Sequence, residues 1–185
     1  MSRVMSGLRS FVESVFTSDD PYLSRLFKFW QCGEVKVYPY ALQAEWNPLT
    51  ASAVNALPSS NPVVDADTDF ILKAMNFVAY PTTGSQVTPQ SNPNMLLSIT
   101  EKTGSQLWTD GAHHVGLWAG STGLQGNSFI LPFSRRLVGS NTLSCALTDN
   151  GGTATHCWLG LEGIKVEYLS VDRTVVWGPD YGDGA

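Results

Sequence analysis

The most constraining feature of this sequence is residues 141–166, NTLSCALTDNGGTATHCWLGLEGIKV, in which apolar and polar side chains alternate on both sides of one turn. The turn is Asp149–Gly152, a run of Asp, Asn and Gly residues that tolerate positive φ. Alternation with a period of two is the pattern of a half-buried strand. The stretch therefore predicts a β-hairpin, and it raises the question of whether the rest of the protein is also made of short strands and turns.

The register of this predicted hairpin follows from its apolar face. If Leu147 pairs with Thr155, Cys145 lies directly opposite Cys157, and Trp158 points to the other face. Directly opposed residues have Cα atoms about 4.5–5.5 Å apart, which is within reach of a disulfide, so Cys145 and Cys157 form a candidate bridge. The alternative is that both are free thiols, buried as small hydrophobes.

Composition and turn spacing extend the β prediction to most of the chain. Only 15% of the 185 residues are charged, and Gly, Pro, Asn, Ser and Thr are plentiful, which favours many short strands. The predicted fold class is mainly β, an antiparallel jelly-roll or β-sandwich over residues 34–175. Residues 46–67 are predicted to be an extended connection, and residues 176–185 a flexible acidic tail. Turn-rich segments separate the candidate strands Glu34–Tyr40, Phe70–Tyr80, Met95–Glu101, His113–Ala119, Ser128–Pro132, Thr142–Thr148 and Thr155–Tyr168.

Residues 1–33 predict a helical hairpin ahead of the β region. A first apolar set recurs at helical spacing, and a second helix is predicted to begin after Asp20, with Pro21 as its first residue, and to end at Cys32-Gly33. The apolar faces of both helices are too large to stay uncovered. They either pack on the protein's own barrel or form an arm that docks on a neighbouring subunit. The candidate partner-binding residues are Leu8, Phe11, Val15, Leu23, Phe27 and Trp30.

Charge and cysteine content limit the classes of partner. The net charge is −5 and there is no basic tract, so direct binding of nucleic acid is not expected. No apolar run approaches the roughly 18 residues of a membrane span, so a membrane partner is not expected either. Three cysteines do not make a disulfide framework, and this favours folding in a reducing compartment.

No catalytic or metal-binding motif emerges from the sequence. Gly126–Ile130 resembles a nucleophile elbow but lacks its second glycine. The candidate metal ligands occur mostly as adjacent pairs, and adjacent strand residues point to opposite faces, so we expect no metal site and no cofactor. Three carboxylates would need a defined separation in a cleft to act on a glycosidic bond, and we expect no enzymatic activity. The ligands considered are Asp110, His113, His114, Cys145, His156 and Cys157, and the carboxylates Glu101, Glu162 and Glu167.

Carbohydrate binding is a second function that the sequence raises, beside a structural role without enzymatic activity. Five of the six tryptophans fall in the β region, where an exposed indole can stack on a sugar ring. Most tryptophans are packed instead, and Trp158, which lies on the strand face opposite Cys157, is the one expected to meet either solvent or a second layer. The five are Trp46, Trp108, Trp118, Trp158 and Trp177.

Three segments taken together resemble the small jelly-roll structural proteins of tailed bacteriophages, of the cement, decoration or minor capsid type. They are DADTDFILKAMNF, LLSITEKTGSQLW and ILPFSRRLVGSNTLSCALTDNGGTATHCWLGLEGIKV, and the resemblance covers about residues 66–168. It implies a non-enzymatic virion protein, synthesised in the host cytoplasm, that binds the major capsid protein or other virion subunits. A homo-oligomer, with a trimer favoured, is expected. The N-terminal helical hairpin departs from the family pattern, which leaves the capsid lattice and the head-to-tail junction both open as positions. The alternative is a carbohydrate-binding or receptor-recognition module of a tail appendage.

Overall fold

The computed structural model describes residues 20–82, 93–101, 111–117, 128–152 and 154–178. This part of the chain is mainly β, and its sheets are antiparallel, as the sequence predicted. Two short helices flank the strands, and neither is long and apolar enough to cross a membrane. The elements are α1 (Pro21–Gln31), β1 (Val35–Leu49), β2 (Thr68–Pro81), β3 (Met95–Glu101), β4 (His113–His114), a 3-10 turn (Val115–Leu117), β5 (Phe129–Leu137), β6 (Leu143–Asp149), β7 (Thr155–Tyr168) and α2 (Arg173–Trp177).

The described strands form two sheets that share one core. The first sheet has the strand order β1-β7-β2-β5, and the second has the order β4-β3-β6. Burying a large apolar side chain contributes about 1.5–3 kcal/mol, so the shared core is what holds the two layers together. Both sheets supply fully buried side chains to it, among them Phe77 and Leu159 from the first and Leu97 and Leu147 from the second.

The predicted hairpin between β6 and β7 is wrong. β6 pairs with β3 in the second sheet, whereas β7 pairs with β1 on one side and β2 on the other in the first sheet. The turn between them therefore crosses from one layer to the other. Alternation is satisfied in both arrangements, because two strands that face each other across a core bury alternate residues just as two paired strands do.

β1 is longer than the sequence predicted, because it continues past Tyr40 to Leu49. Two prolines, Pro39 and Pro48, lie within it. β1 is the outermost strand of its sheet, and an outermost strand tolerates proline because one side of it needs no hydrogen-bond donors.

The helix α1 begins and ends where the sequence predicted. The Asp20 carboxylate accepts hydrogen bonds from the amides of Tyr22 and Leu23, and Pro21 is the first helical residue. Gly33 then ends the helix with a φ of +71°, which a side chain would strain. The predicted first helix lies outside the described residues.

A second hydrophobic cluster lies on the outer side of the first sheet. Leu23 and Leu26 of α1 pack there against β1, β2 and β7, together with Val176 and Trp177 of α2. Residues 176 and 177, predicted to belong to a flexible tail, are therefore buried: Asp172 caps α2 and turns Trp177 onto the sheet. Residues 179–185 lie outside the described chain.

Residues 50–67, which we call the edge connection, run along β6. Ala56 and Leu147 exchange two backbone hydrogen bonds of 2.8 and 2.9 Å, and the amide of Val64 donates to Asn141 at 2.9 Å. The connection was predicted to be extended and loop-rich. In the structure it lies antiparallel to β6 at two isolated bridges and covers that edge of the second sheet.

Candidate functional site

The outer side of the first sheet is covered only in part by the described elements. Along β7, residues 158, 160, 162, 164 and 166 point to this side, and α1 and α2 cover Ile164 and Val166. Beyond them lie two adjoining hollows of about 640 Å³ and about 500 Å³, which share Ala41 and Glu162 and which we call the outer groove. A volume of this size is typical of a ligand site.

The centre of the outer groove is polar and pre-organised. The Asn76 amide donates a hydrogen bond to the Glu162 carboxylate, and the Ser128 hydroxyl donates to it at 3.0–3.1 Å. Asn76 can lie across β7 because its cross-strand partner is Gly160, where an added Cβ would stand 2.4 Å from Asn76 Oδ1. The missing side chain at Gly160 therefore leaves the space in which the Asn76 amide reaches Glu162.

One end of the groove is aromatic. Trp158 packs edge-to-face with Tyr80 at a centroid distance of 5.5 Å and with His156 at 6.0 Å. All three side chains are partly exposed. They come from neighbouring strands, because Tyr80 of β2 stands opposite His156 of β7. The arrangement forms a partly exposed aromatic wall on a rigid sheet.

The other end of the groove is bounded by a bulge in β2. The register of β2 shifts between Leu72 and Ala74, which leaves Lys73 without a cross-strand partner. Lys73 Nζ lies 3.6 Å from the carboxylate of Asp20, the residue that caps α1. The bulge thus ends the groove at the start of the helix.

The edge connection is the second exposed surface of note. Val54, Leu57 and Val63 have exposed fractions of 73%, 64% and 50%. The segment that carries them is anchored from below, because the Trp46 indole donates a 2.8 Å hydrogen bond to the Ala56 carbonyl. Three large apolar side chains within ten residues therefore project from a fixed backbone.

The candidate partner-binding residues differ in how deeply they are buried. Leu23 has no exposed surface, because it packs on the protein's own first sheet. For this side chain, the expectation of packing within the protein holds, and the expectation of docking on a neighbouring subunit does not. Phe27 and Trp30 are partly buried beside the same cluster and stack on each other at 5.9 Å. Leu8, Phe11 and Val15 lie outside the described residues. For Phe27 and Trp30, contact with a partner stays a prediction.

The two cysteines of the candidate disulfide are free buried thiols. Cys145 stands opposite Ile99 in the second sheet, and Cys157 stands opposite Ala79 in the first, so the register that placed them in one hairpin does not exist. Their neighbours are apolar or weakly polar, and Cys157 Sγ lies 3.7 Å from the sulfur of Met95. Burial raises the pKa of each thiol to about 12.

The three candidate carboxylates belong to three separate networks. Glu101 pairs with Arg135 and accepts a hydrogen bond from Asn141, whereas Glu167 accepts one from Tyr38. Glu162 alone lies in the outer groove. Within the described ranges, no three His, Cys, Asp or Glu side chains are grouped as metal ligands, and Asp110 lies outside those ranges.

The candidate tryptophans also lie in different places, some in the cores and one in the outer groove. Trp46 and Trp177 are 2% and 1% exposed and belong to the two cores, whereas Trp108 and Trp118 lie outside the described residues. Trp158 is the described tryptophan of this set that reaches a groove. Sequence reasoning missed the roles of Asn76, Tyr80 and Gly160, because no local signal links them to Trp158 before β2 and β7 are known to pair.

Comparisons with known proteins add little to this geometry. No family model matches the sequence, and no curated protein matches it significantly. Among solved structures, the chain is similar to VP2 of infectious bursal disease virus, in the crystal structure of its subviral particle, with 17% identity and a TM-score of 0.29. The match covers 74% of this chain and 33% of that one, so the chain spans about a third of the length of VP2. A likeness at this TM-score carries no inference about function.

Proposed function

We propose that the protein is a non-enzymatic structural subunit of a virus particle, which binds neighbouring capsid or head-to-tail subunits and stabilises the assembly. In this proposal the fold is a jelly roll, the chain acts as a trimer or another small oligomer, and its location is the virion. The observation that carries the proposal is the order of the strands.

The edge connection adds an eighth strand-like element, because it is hydrogen-bonded along β6. If the edge connection is counted as strand 2 of eight, β1 stays strand 1 and β2 to β7 become strands 3 to 8. The first sheet then has the order 1-8-3-6, and the second sheet, extended by the edge connection, has the order 2-7-4-5. This order arises when a long double-stranded ribbon rolls up into two Greek keys, which is the jelly roll. Jelly rolls build many viral capsid domains and lectins, so the order supports a particle role by analogy of architecture.

The edge connection also supplies a surface suited to a neighbouring subunit. An exposed strand edge has unpaired backbone N–H and C=O groups, which can pair non-specifically with a strand of another chain. Here the edge connection covers the β6 edge with its own backbone. In place of an open edge it presents Val54, Leu57 and Val63, whose apolar side chains gain by being covered. Many copies of such a modest contact, engaged together, give a stable particle through avidity.

The first test is mass spectrometry of particles purified from cultures that produce this chain from its own genome. The chain is expected as a constant component of mature particles, and its absence from them would end the structural proposal. The second test is incorporation of the double variant Val54→Ser/Leu57→Ser, which should stay folded but join particles poorly.

A matched control separates the edge connection from apolar exposure in general. Leu169 and Val175 have exposed fractions of 62% and 58% and lie after β7 and in α2. The double variant Leu169→Ser/Val175→Ser should be incorporated normally. Equal incorporation of both double variants would show that the edge connection is not the assembly surface.

A further inference from the structure

We propose that the outer groove is a binding site for a neutral oligosaccharide. The inference is independent of the particle role, because it rests on the chemistry of one face of the first sheet. The site combines an aromatic wall at Trp158 and Tyr80 with a fixed carboxylate and amide at Glu162 and Asn76.

The two kinds of side chain match the two faces of a sugar. A pyranose ring has apolar C–H surfaces that pack on aromatic side chains, and Trp158 and Tyr80 are amphipathic rings of this type. Its rim carries hydroxyl groups, each of which both donates and accepts hydrogen bonds. Glu162 accepts, and the amides of Asn76 and Gln43 do both, so the lining of the groove serves such a rim.

The charges of the groove favour a neutral ligand. Glu162 lies at its centre, and Glu45 stands opposite Trp158 in the register of β1 and β7. Two carboxylates repel phosphate, sulfate and acidic sugars. Among the residues that line the two hollows, the cation is Lys73, which lies at the far end and pairs with Asp20. A purely apolar ligand would in turn cover the Glu162 carboxylate without replacing its contacts with water.

The shape of the groove fits an extended chain of sugar rings. From Ile164 to Trp158 the groove follows seven residues of β7, and the six steps between them span about 20 Å at roughly 3.3 Å per residue. Its floor is low because the small residues Ala41 and Ala74 lie between the aromatic wall and the bulge. The Glu162 carboxylate is already held by hydrogen bonds from Asn76 and Ser128, so binding does not have to order it.

The test is a glycan array probed with the full chain, followed by titration calorimetry with the strongest neutral glycan. Selective binding is expected, with a loss of at least tenfold in affinity for Trp158→Ala. Glu162→Gln keeps the shape of the side chain and should also weaken binding, so the test does not depend on one variant. Leu57→Ala, on the edge connection, should bind like the unaltered chain, and thermal melting checks that each variant is folded.

Three outcomes would overturn the proposal. They are an array with no selective glycan, binding that Trp158→Ala and Glu162→Gln both leave unchanged, and selective binding of acidic glycans alone. A groove that binds no glycan while Trp158→Ala changes the oligomeric state would instead be a protein contact. Failure of the particle role is recognised separately, because particle composition is measured without any glycan.

Discussion

Arg136 Nε lies 2.9 Å from Oδ2 of Asp69, a carboxylate whose side chain has no exposed surface. The same carboxylate accepts hydrogen bonds from the Tyr168 hydroxyl and the Gly139 amide. Arg173 Nε lies 3.2 Å from its other oxygen, although it is not aligned for a hydrogen bond. Asp69 therefore ties β2 to β5, β7 and α2, and it anchors the end of the sheet on which α1 packs.

Replacing Asp69 should be strongly destabilising. Asp69→Ala leaves the Arg136 side chain, only 9% exposed, without its buried counter-ion, and we expect a loss of about 3–5 kcal/mol in the free energy of unfolding. Urea unfolding measures it. The control is Lys36→Ala, because Lys36 pairs with Glu167 at 3.4 Å and its side chain is 62% exposed, and such exposed pairs contribute at most about 1 kcal/mol. Equal losses in the two variants would contradict the assigned role of Asp69.

The close approach of β2 and β7 should make Gly163 irreplaceable by alanine. A Cβ at this position would stand 2.1 Å from the carbonyl oxygen of Ile71, which is backbone and cannot swing away. Gly163→Ala is expected to cost about 1–3 kcal/mol or more, as forced overpacking does. Gly111→Ala is the control, since a Cβ there meets nothing within 4 Å. Thermal melting should show a lowered Tm for the first variant only.

The packing of α1 on its own sheet predicts a stability effect. Leu26→Ala removes a side chain with no exposed surface and should cost about 2–5 kcal/mol. Leu57→Ala removes the same atoms from a residue that is 64% exposed and should change stability by no more than about 0.5 kcal/mol. Chemical denaturation compares the two. A neutral Leu26→Ala variant would mean that α1 does not stabilise the sheet.

The cysteines should differ sharply in reactivity. Cys32 is exposed, whereas Cys145 and Cys157 are buried with a pKa of about 12, so only Cys32 should be alkylated rapidly in the native protein. All three should react after unfolding. Mass spectrometry of the labelled chain counts the adducts. Rapid native labelling of three thiols would contradict the described burial.

The same two thiols predict a dependence of stability on pH. Their folded pKa is above that of an unfolded thiol, so the native state favours the protonated form. This contribution is complete below the unfolded pKa of about 8.5 and is lost as the pH rises toward the folded value. Burial also raises the pKa of Tyr168, which acts in the same direction. The free energy of unfolding should fall steadily above about pH 9, and a rise there would contradict the prediction.

Local features could be predicted from the sequence because each depends on a few neighbouring residues. Asp20, Pro21 and Gly33 define α1 by capping, by a pre-set φ and by a positive φ. The bounds of β3 and β7 agree with the alternation in Met95–Glu101 and Thr155–Tyr168. The mainly β class follows from the same alternation.

The partners of the strands were decided only by the tertiary structure. Alternation states which side of β7 is buried, but a core strand can satisfy it beside β6 or across from β6. Cys145 and Cys157 thus fell in different sheets although the sequence put them face to face. The outer groove has the same origin: Asn76 and Glu162 are 86 residues apart, and their contact exists only because long-range pairing of β2 and β7 lets both sheets bury their apolar sides in one core.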